Sequence, residues 1–171
     1  MGTLYFLIHG MTDDPLHISF ERWSNVYLKL SWSGLLSAYS GHSGINRNNP
    51  DAIALKKKGP LPPGKYYIVT RSRGGMRSRW HDMLKELESG SNCDFWFALY
   101  RDDGTLDDLT FIDNVECGAF RLHPAGTSGI SEGCITLPVH SHYRILHHAL
   151  LSTGSLHITA ELKAFGTIQV Y

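Results

Sequence analysis

Side-chain polarity alternates every second residue in several stretches of this chain, and that period suits strands with one buried face and disfavours helices. Leu156, Ile158, Ala160, Leu162 and Ala164 alternate with His157, Thr159, Glu161 and Lys163, which predicts a half-buried strand across the whole run. Val26, Leu28, Leu30 and Trp32 alternate with Tyr27, Lys29 and Ser31, and Ser33-Gly34 separates them from Leu35, Leu36 and Tyr39, which predicts a tight hairpin. Further strands are expected at Tyr66 to Thr70, Phe95 to Tyr100, Leu109 to Ile112, Ala119 to His123 and Gly133 to Leu137. Asp102-Asp103-Gly104 supplies a turn. Two helices interrupt the strands. Trp80, Met83, Leu84 and Leu87 share one helical face before Gly90, and Leu146, Ala149 and Leu150 share another before Gly154. The expected fold is therefore mainly β with two helices, a β-sandwich or mixed β sheet. Residues 1 to 25 are expected to be an N-terminal extension and residues 26 to 171 a single catalytic domain, while Gly41 to Asp51 carries no assigned element.

The chemistry concentrates in Arg121 to Thr136, R-L-H-P-A-G-T-S-G-I-S-E-G-C-I-T. A free thiol is mostly protonated at neutral pH, so an attacking cysteine needs a base beside it, and attack on an amide carbonyl builds an oxyanion that backbone N–H groups can receive. Cys134 is the candidate nucleophile and His123 the candidate base, held on a strand. Gly133 permits the turn that points amide N–H groups inward, and Ser131 can hydrogen-bond across it. Gly126 and Gly129 let the chain fold back between the two. Cys93 and Cys117 take the ordinary reading of small buried hydrophobes. His140, His142, His147 and His148 lie on or beside a helix without metal-ligand spacing, so neither a metal nor another cofactor is expected. Arg71, Arg73, Arg77 and Arg79 form a basic run that reads first as a solvated loop and second as a contact for stem-peptide carboxylates, and Asp107 and Asp108 read first as exposed turn residues and second as a group that orients His123.

These residues resemble the signature of the L,D-transpeptidases of the YkuD-like superfamily, in which a His-containing strand is followed by Ser-x-Gly-Cys. His123, Ser131, Gly133 and Cys134 match it position by position. Gly59-Pro-Leu-Pro-Pro-Gly-Lys-Tyr-Tyr-Ile68 is similar to a strand-opening motif of that superfamily, and Gly166 to Tyr171 to its closing strand. The eleven-residue step from His123 to Cys134 is short for the superfamily, and Thr136 stands where an arginine normally follows the cysteine. With Trp96 to Arg101 and Phe120 to Pro124, these features resemble the small L,D-transpeptidase-like toxins delivered by type VI secretion. The resemblance implies L,D-carboxypeptidase chemistry with D-amino acid exchange on peptidoglycan stem peptides. It also implies a cognate immunity protein and a secretion apparatus component as partners. Arg121, Thr136 and Gly126 are the expected substrate contacts.

Sixteen basic and sixteen acidic residues cancel, so no global field draws the chain to nucleic acid or anionic membrane. Three cysteines, an odd count, suit a thiol enzyme better than a disulfide framework. No stretch approaches the roughly 20 apolar residues of a membrane span, and Leu4 to Ile8 is too short for a secretory core. The expectation is a protein made in the cytoplasm, exported by a specialised machine and active in a target cell's periplasm. Two other readings compete: a cysteine peptidase or amidase acting on another bond, and a catalytically silent cell-wall-binding module.

Overall fold

The computed structural model describes residues 2–7, 16–21, 33–42, 44–70, 96–112, 115–126, 129–152 and 154–171. Eleven strands lie among them: β1 (Gly2–Leu7), β2 (Leu16–Glu21), β3 (Ser33–Ala38), β4 (Gly64–Thr70), β5 (Phe97–Arg101), β6 (Leu109–Ile112), β7 (Val115–Gly118), β8 (Arg121–Pro124), β9 (Ile135–Leu137), β10 (Leu156–His157) and β11 (Lys163–Val170). One helix is described, α1 (His140–Ser152). The mainly β expectation holds. The helix expected around Trp80 to Leu87, the strand from Val26 to Trp32 and the basic run from Arg71 to Arg79 lie outside the described residues.

Nine strands form one mixed sheet in the order β3-β1-β2-β11-β4-β5-β8-β9, with β10 also paired to β11. The β11–β2 and β8–β9 pairs are parallel and the rest antiparallel. β6 and β7 make a separate hairpin, of which only β6 was expected. Residues 2–7 and 16–21, within the stretch read as an extension, contribute two strands to the main sheet. Tyr39, just past β3, exchanges backbone hydrogen bonds of 2.9 and 2.8 Å with Thr136 of β9. Since β3 and β9 are the two ends of the strand order, this bridge closes the sheet upon itself and leaves the β9 backbone at Thr136 paired on both sides.

The main core lies between the sheet and α1. Tyr143, Leu146, Ala149 and Leu150 form the buried stripe of the helix and pack with Leu61, Tyr66, Ile68, Phe97, Leu99, Leu122, Ile135 and Leu137. Residues three, four and seven apart share a helical face, which is why this spacing made the helix visible in the sequence. The Tyr143 hydroxyl donates to the Leu122 carbonyl at 3.2 Å, tying the helix to β8. Cys117 is buried in this cluster, as its ordinary reading required. Val69, Ala98 and Ala164 seed a second cluster with Tyr67, Tyr100, Leu156, Ile158 and Leu162.

Four local expectations are corrected. Ser33 and Gly34 are not a turn: they pair with Leu7 and Phe6 at the start of β3, because β1 offers them a ladder. The Leu156 to Ala164 run is not one strand but β10, a turn and the start of β11. The Thr159 hydroxyl accepts the N–H groups of Glu161 and Leu162 at 3.3 and 3.0 Å, and this local satisfaction overrides the alternating pattern. β8 begins at Arg121, two residues later than expected, because Ala119 has φ of 60°, outside the strand region. β9 begins at Ile135 because Gly133 has φ of 82°.

Candidate active site

The register of three strands assembles the site. β8 and β9 run parallel with Leu122 opposite Ile135 and His123 opposite Thr136, so Arg121 falls beside Cys134. Successive residues of a strand face opposite sides, so Leu122 and Ile135 enter the core while Arg121, His123, Cys134 and Thr136 share the other face. The Tyr39 bridge adds Tyr39 next to Thr136 on that face. On the far side, β5 places Phe97 opposite Leu122, and Trp96 immediately before it stacks on the His123 ring with centroids 4.5 Å apart and planes 25° from parallel. Trp96, His123, Thr136 and Tyr39 thus form a row across the closed sheet.

The imidazole is fixed at both nitrogens. A carbonyl only accepts, so the 2.7 Å contact between His123 Nδ1 and the Pro124 oxygen puts the proton on Nδ1. Nε2 then carries the lone pair and accepts from the Thr136 hydroxyl at 3.2 Å. Pro124 O is therefore the orienting group for His123. Asp108, the alternative from sequence, instead grips Arg121 with two 2.6 Å bonds, Nη1 to Oδ1 and Nη2 to Oδ2. Both ring nitrogens are engaged by groups other than the Cys134 sulfur, which faces the backbone N–H of Arg121.

Burial governs the electrostatics. His123 is 4% exposed and Cys134 1%. Desolvation pushes the His123 pKa down to about 4, helped by the Arg121 charge and opposed by the bond to Pro124 O. Desolvation pushes the Cys134 thiol up to about 12, against the lowering effects of the Arg121 charge and backbone N–H, while Glu132 and Asp108 raise it further. At neutral pH the resting pair is thus an uncharged thiol beside an uncharged imidazole.

The nucleophile turn is built tightly. Gly133 has φ of 82°, and a Cβ there would lie 2.9 Å from the Phe120 ring, so glycine is required on two grounds. The Ser131 hydroxyl donates to the Cys134 carbonyl at 2.8 Å. The Ser40 hydroxyl donates to the Gly133 carbonyl at 3.4 Å and accepts the Leu61 N–H at 2.7 Å. A planar trans peptide points its N–H opposite to its C=O, so Ser40 sets the direction of the Cys134 N–H. Asn48 in turn holds Ser40: its Oδ1 accepts the Ser40 N–H, and its own N–H donates to the Ser40 carbonyl, both at 2.7 Å.

Arg121, expected to contact substrate, lies 3% exposed beside the sulfur with its guanidinium on Asp108. Thr136 is fully buried and bonds the imidazole. Gly126 is half-buried, its carbonyl accepting the Gly129 N–H at 3.1 Å within the connection between base and nucleophile. Among the helix histidines, His140 reaches Ala125 O at 2.8 Å and His147 packs on Phe97 and Tyr143. Sequence reasoning passed over Tyr39, Ser40, Arg47 and Asn48. The Gly- and Asn-rich composition of Gly41 to Asp51 signalled only a tight turn, realised by Gly41 at φ 92° and Asn48 at φ 55°. Among the described residues no group of three or more His, Cys, Asp or Glu side chains has a metal-binding arrangement, and no helix is long and apolar enough to cross a membrane.

The closed mixed sheet thus carries a buried His123 on β8 and a buried Cys134 immediately before β9. The Tlde1 domain model matches residues 34–161, most of the chain, and the protein belongs to that family of type VI secretion L,D-transpeptidase effectors. Membership carries with it peptidoglycan as the substrate class, an immunity partner, and secretion for action in a target cell's periplasm. No curated protein and no solved structure matches the chain.

Proposed function

We propose that the protein is a cysteine acyltransferase that trims peptidoglycan tetrapeptide stems. The Cys134 thiol attacks the carbonyl at the L-centre of the third-position diamino acid while its proton passes to His123 Nε2. The tetrahedral intermediate collapses with His123 protonating the leaving nitrogen, releasing the terminal D-alanine and leaving a thioester. Backbone N–H groups of Gly133 and Cys134 hold the oxyanion. Water resolves the thioester to a tripeptide stem, and a free D-amino acid in excess replaces water to give exchange.

The observation that supports this most is the imidazole tautomer: Pro124 O holds the proton on Nδ1, leaving Nε2 as the base on the same sheet face as Cys134. The pKa directions favour a route in which thiol deprotonation accompanies attack, since a separated thiolate–imidazolium pair is disfavoured by burial. Disaccharide tetrapeptide incubated with the enzyme, alone and with excess D-methionine, tests the scheme by mass spectrometry. Tripeptide in the first tube and exchanged tetrapeptide in the second are expected, both lost in Cys134→Ala and retained in Cys117→Ala. Cleavage of another bond would favour a different peptidase or amidase. Abundant cross-linked dimer with little tripeptide would make it a transpeptidase.

A further inference from the structure

The stem reading leaves one charge unplaced: the leaving D-alanine carries a free carboxylate one residue beyond the scissile carbonyl. A buried, uncharged Cys–His pair offers that anion nothing, and the Arg121 guanidinium is already bidentate on Asp108.

At the end of the row across the sheet stands another guanidinium. Arg47 is exposed, and its Cζ lies 4.1 Å above the centre of the Tyr39 ring. Its Nη2 donates to the Gly129 carbonyl at 2.8 Å, and the Tyr39 hydroxyl donates to the same oxygen at 3.0 Å. The two bonds and the stack fix the guanidinium plane, so little rotamer freedom remains to be lost when an anion docks. Among the described residues no carboxylate forms an ion pair with Arg47. Gly129 lies in the connection from His123 to Cys134, so the cation is pinned to the loop that carries the nucleophile.

The direction fits. Thr136 pairs with Tyr39 on one side and stands two residues from Cys134 on the same face, so the row beside the nucleophile ends at the Arg47–Tyr39 stack. The terminal carboxylate lies one residue beyond the scissile carbonyl, so a stem running from Cys134 towards Tyr39 turns that carboxylate towards the open edge of the Arg47 guanidinium.

Resting on the stem-peptide reading above, we propose that Arg47, stacked on Tyr39, is the anchor for the substrate's C-terminal carboxylate and makes the enzyme selective for stems that end in a free D-amino acid. A planar guanidinium donates bidentately to a carboxylate while keeping its third nitrogen as donor to Gly129 O.

The test pairs a tetrapeptide stem ending in D-alanine with the same stem ending in D-alaninamide. Wild-type enzyme is expected to prefer the acid. Arg47→Gln, which keeps a donor for Gly129 O, should lose roughly 10- to 100-fold in kcat/KM on the acid, mostly through KM, and little on the amide. Arg47→Lys should recover part of the loss. An equal loss on both substrates would reduce Arg47 to a clasp on the loop, and no loss would remove it from recognition; either result overturns the proposal.

Calorimetric binding of both peptides to Cys134→Ala and to Cys134→Ala/Arg47→Gln separates this inference from the catalytic reading. Arg47-dependent preference for the acid without D-alanine release by wild type would sink the reaction and keep the anchor. D-alanine release without acid preference would do the reverse, and neither release nor binding would end both.

Discussion

Lowering the pH should cost this protein stability through His123. Its imidazole is buried, uncharged, stacked on Trp96 and bonded through Nδ1 to Pro124 O, with a pKa of about 4 against an ordinary 6.5. Between those values the unfolded chain takes up a proton that the folded protein refuses, so stability falls as the pH drops through this window and is fully present above it. At about 1.4 kcal/mol per pH unit, the ceiling is about 3 kcal/mol, most of which is lost by pH 4.5. His147 is shifted in the same direction by its own burial, so the effect must be isolated by difference. Urea unfolding of Cys134→Ala and Cys134→Ala/His123→Gln at pH 7 and pH 4.5 does this while removing thiol ionisation. The stability advantage of the histidine-bearing protein should shrink by about 2 to 3 kcal/mol between the two conditions. A difference constant with pH within about 0.5 kcal/mol would mean that folded His123 titrates near its ordinary value, and the buried, neutral pair would have to be abandoned.

Two other substitutions probe the support around the pair. Gly133→Ala forces an L side chain to φ of 82° against the Phe120 ring; it should cost about 2 kcal/mol in denaturant unfolding and at least tenfold in D-alanine release, and a silent substitution would show that the turn is not held as described. Asp108→Asn strips the buried Arg121 of its counter-charge, which should cost about 3 to 5 kcal/mol. The same change leaves the Arg121 charge unopposed beside the sulfur, so Cys134 alkylation by iodoacetamide should begin at lower pH even as the protein weakens; an unchanged pH profile would break the link between Arg121 and the thiol.

Cys134, His123, Ser131 and Gly133 could be put forward from the sequence because the segment that holds them is local: a three-residue turn and a candidate base one short connection away. Thr136 was visible only as a departure from a pattern. Its contact with Nε2 depends on the parallel register of β8 and β9, which no single segment encodes. Ser40 reaches the Gly133 carbonyl from 93 residues away, and Tyr39 reaches Gly129 from 90. Such contacts appear only when the sheet closes, so composition around Tyr39 to Asp51 showed a turn and nothing of its target. Strand limits failed where backbone conformation overrode polarity, at Ala119, at Gly133 and in the Thr159 turn. The α1 stripe survived translation into structure because its period and its partners agree.

The closed sheet also constrains how the proposed chemistry begins. Thr136 is paired by backbone to Tyr39 on one side and to β8 on the other, so the strand itself has little freedom to shift. Its hydroxyl nevertheless occupies the one lone pair of His123 that must accept the thiol proton. Reaction therefore requires the hydroxyl to leave Nε2, and a β-branched side chain on an extended backbone has few staggered positions in which to go. Rotation about a single χ1, on a backbone that stays fixed, is the smallest motion that frees the base. With the thiol near 12 and the imidazole near 4, freeing Nε2 alone does not ionise the cysteine. The carbonyl must already be in place, so that charge passes from sulfur to the oxyanion as the proton passes to nitrogen. On this mechanism the resting enzyme keeps its thiol unreactive, and the substrate completes the site it is cleaved in.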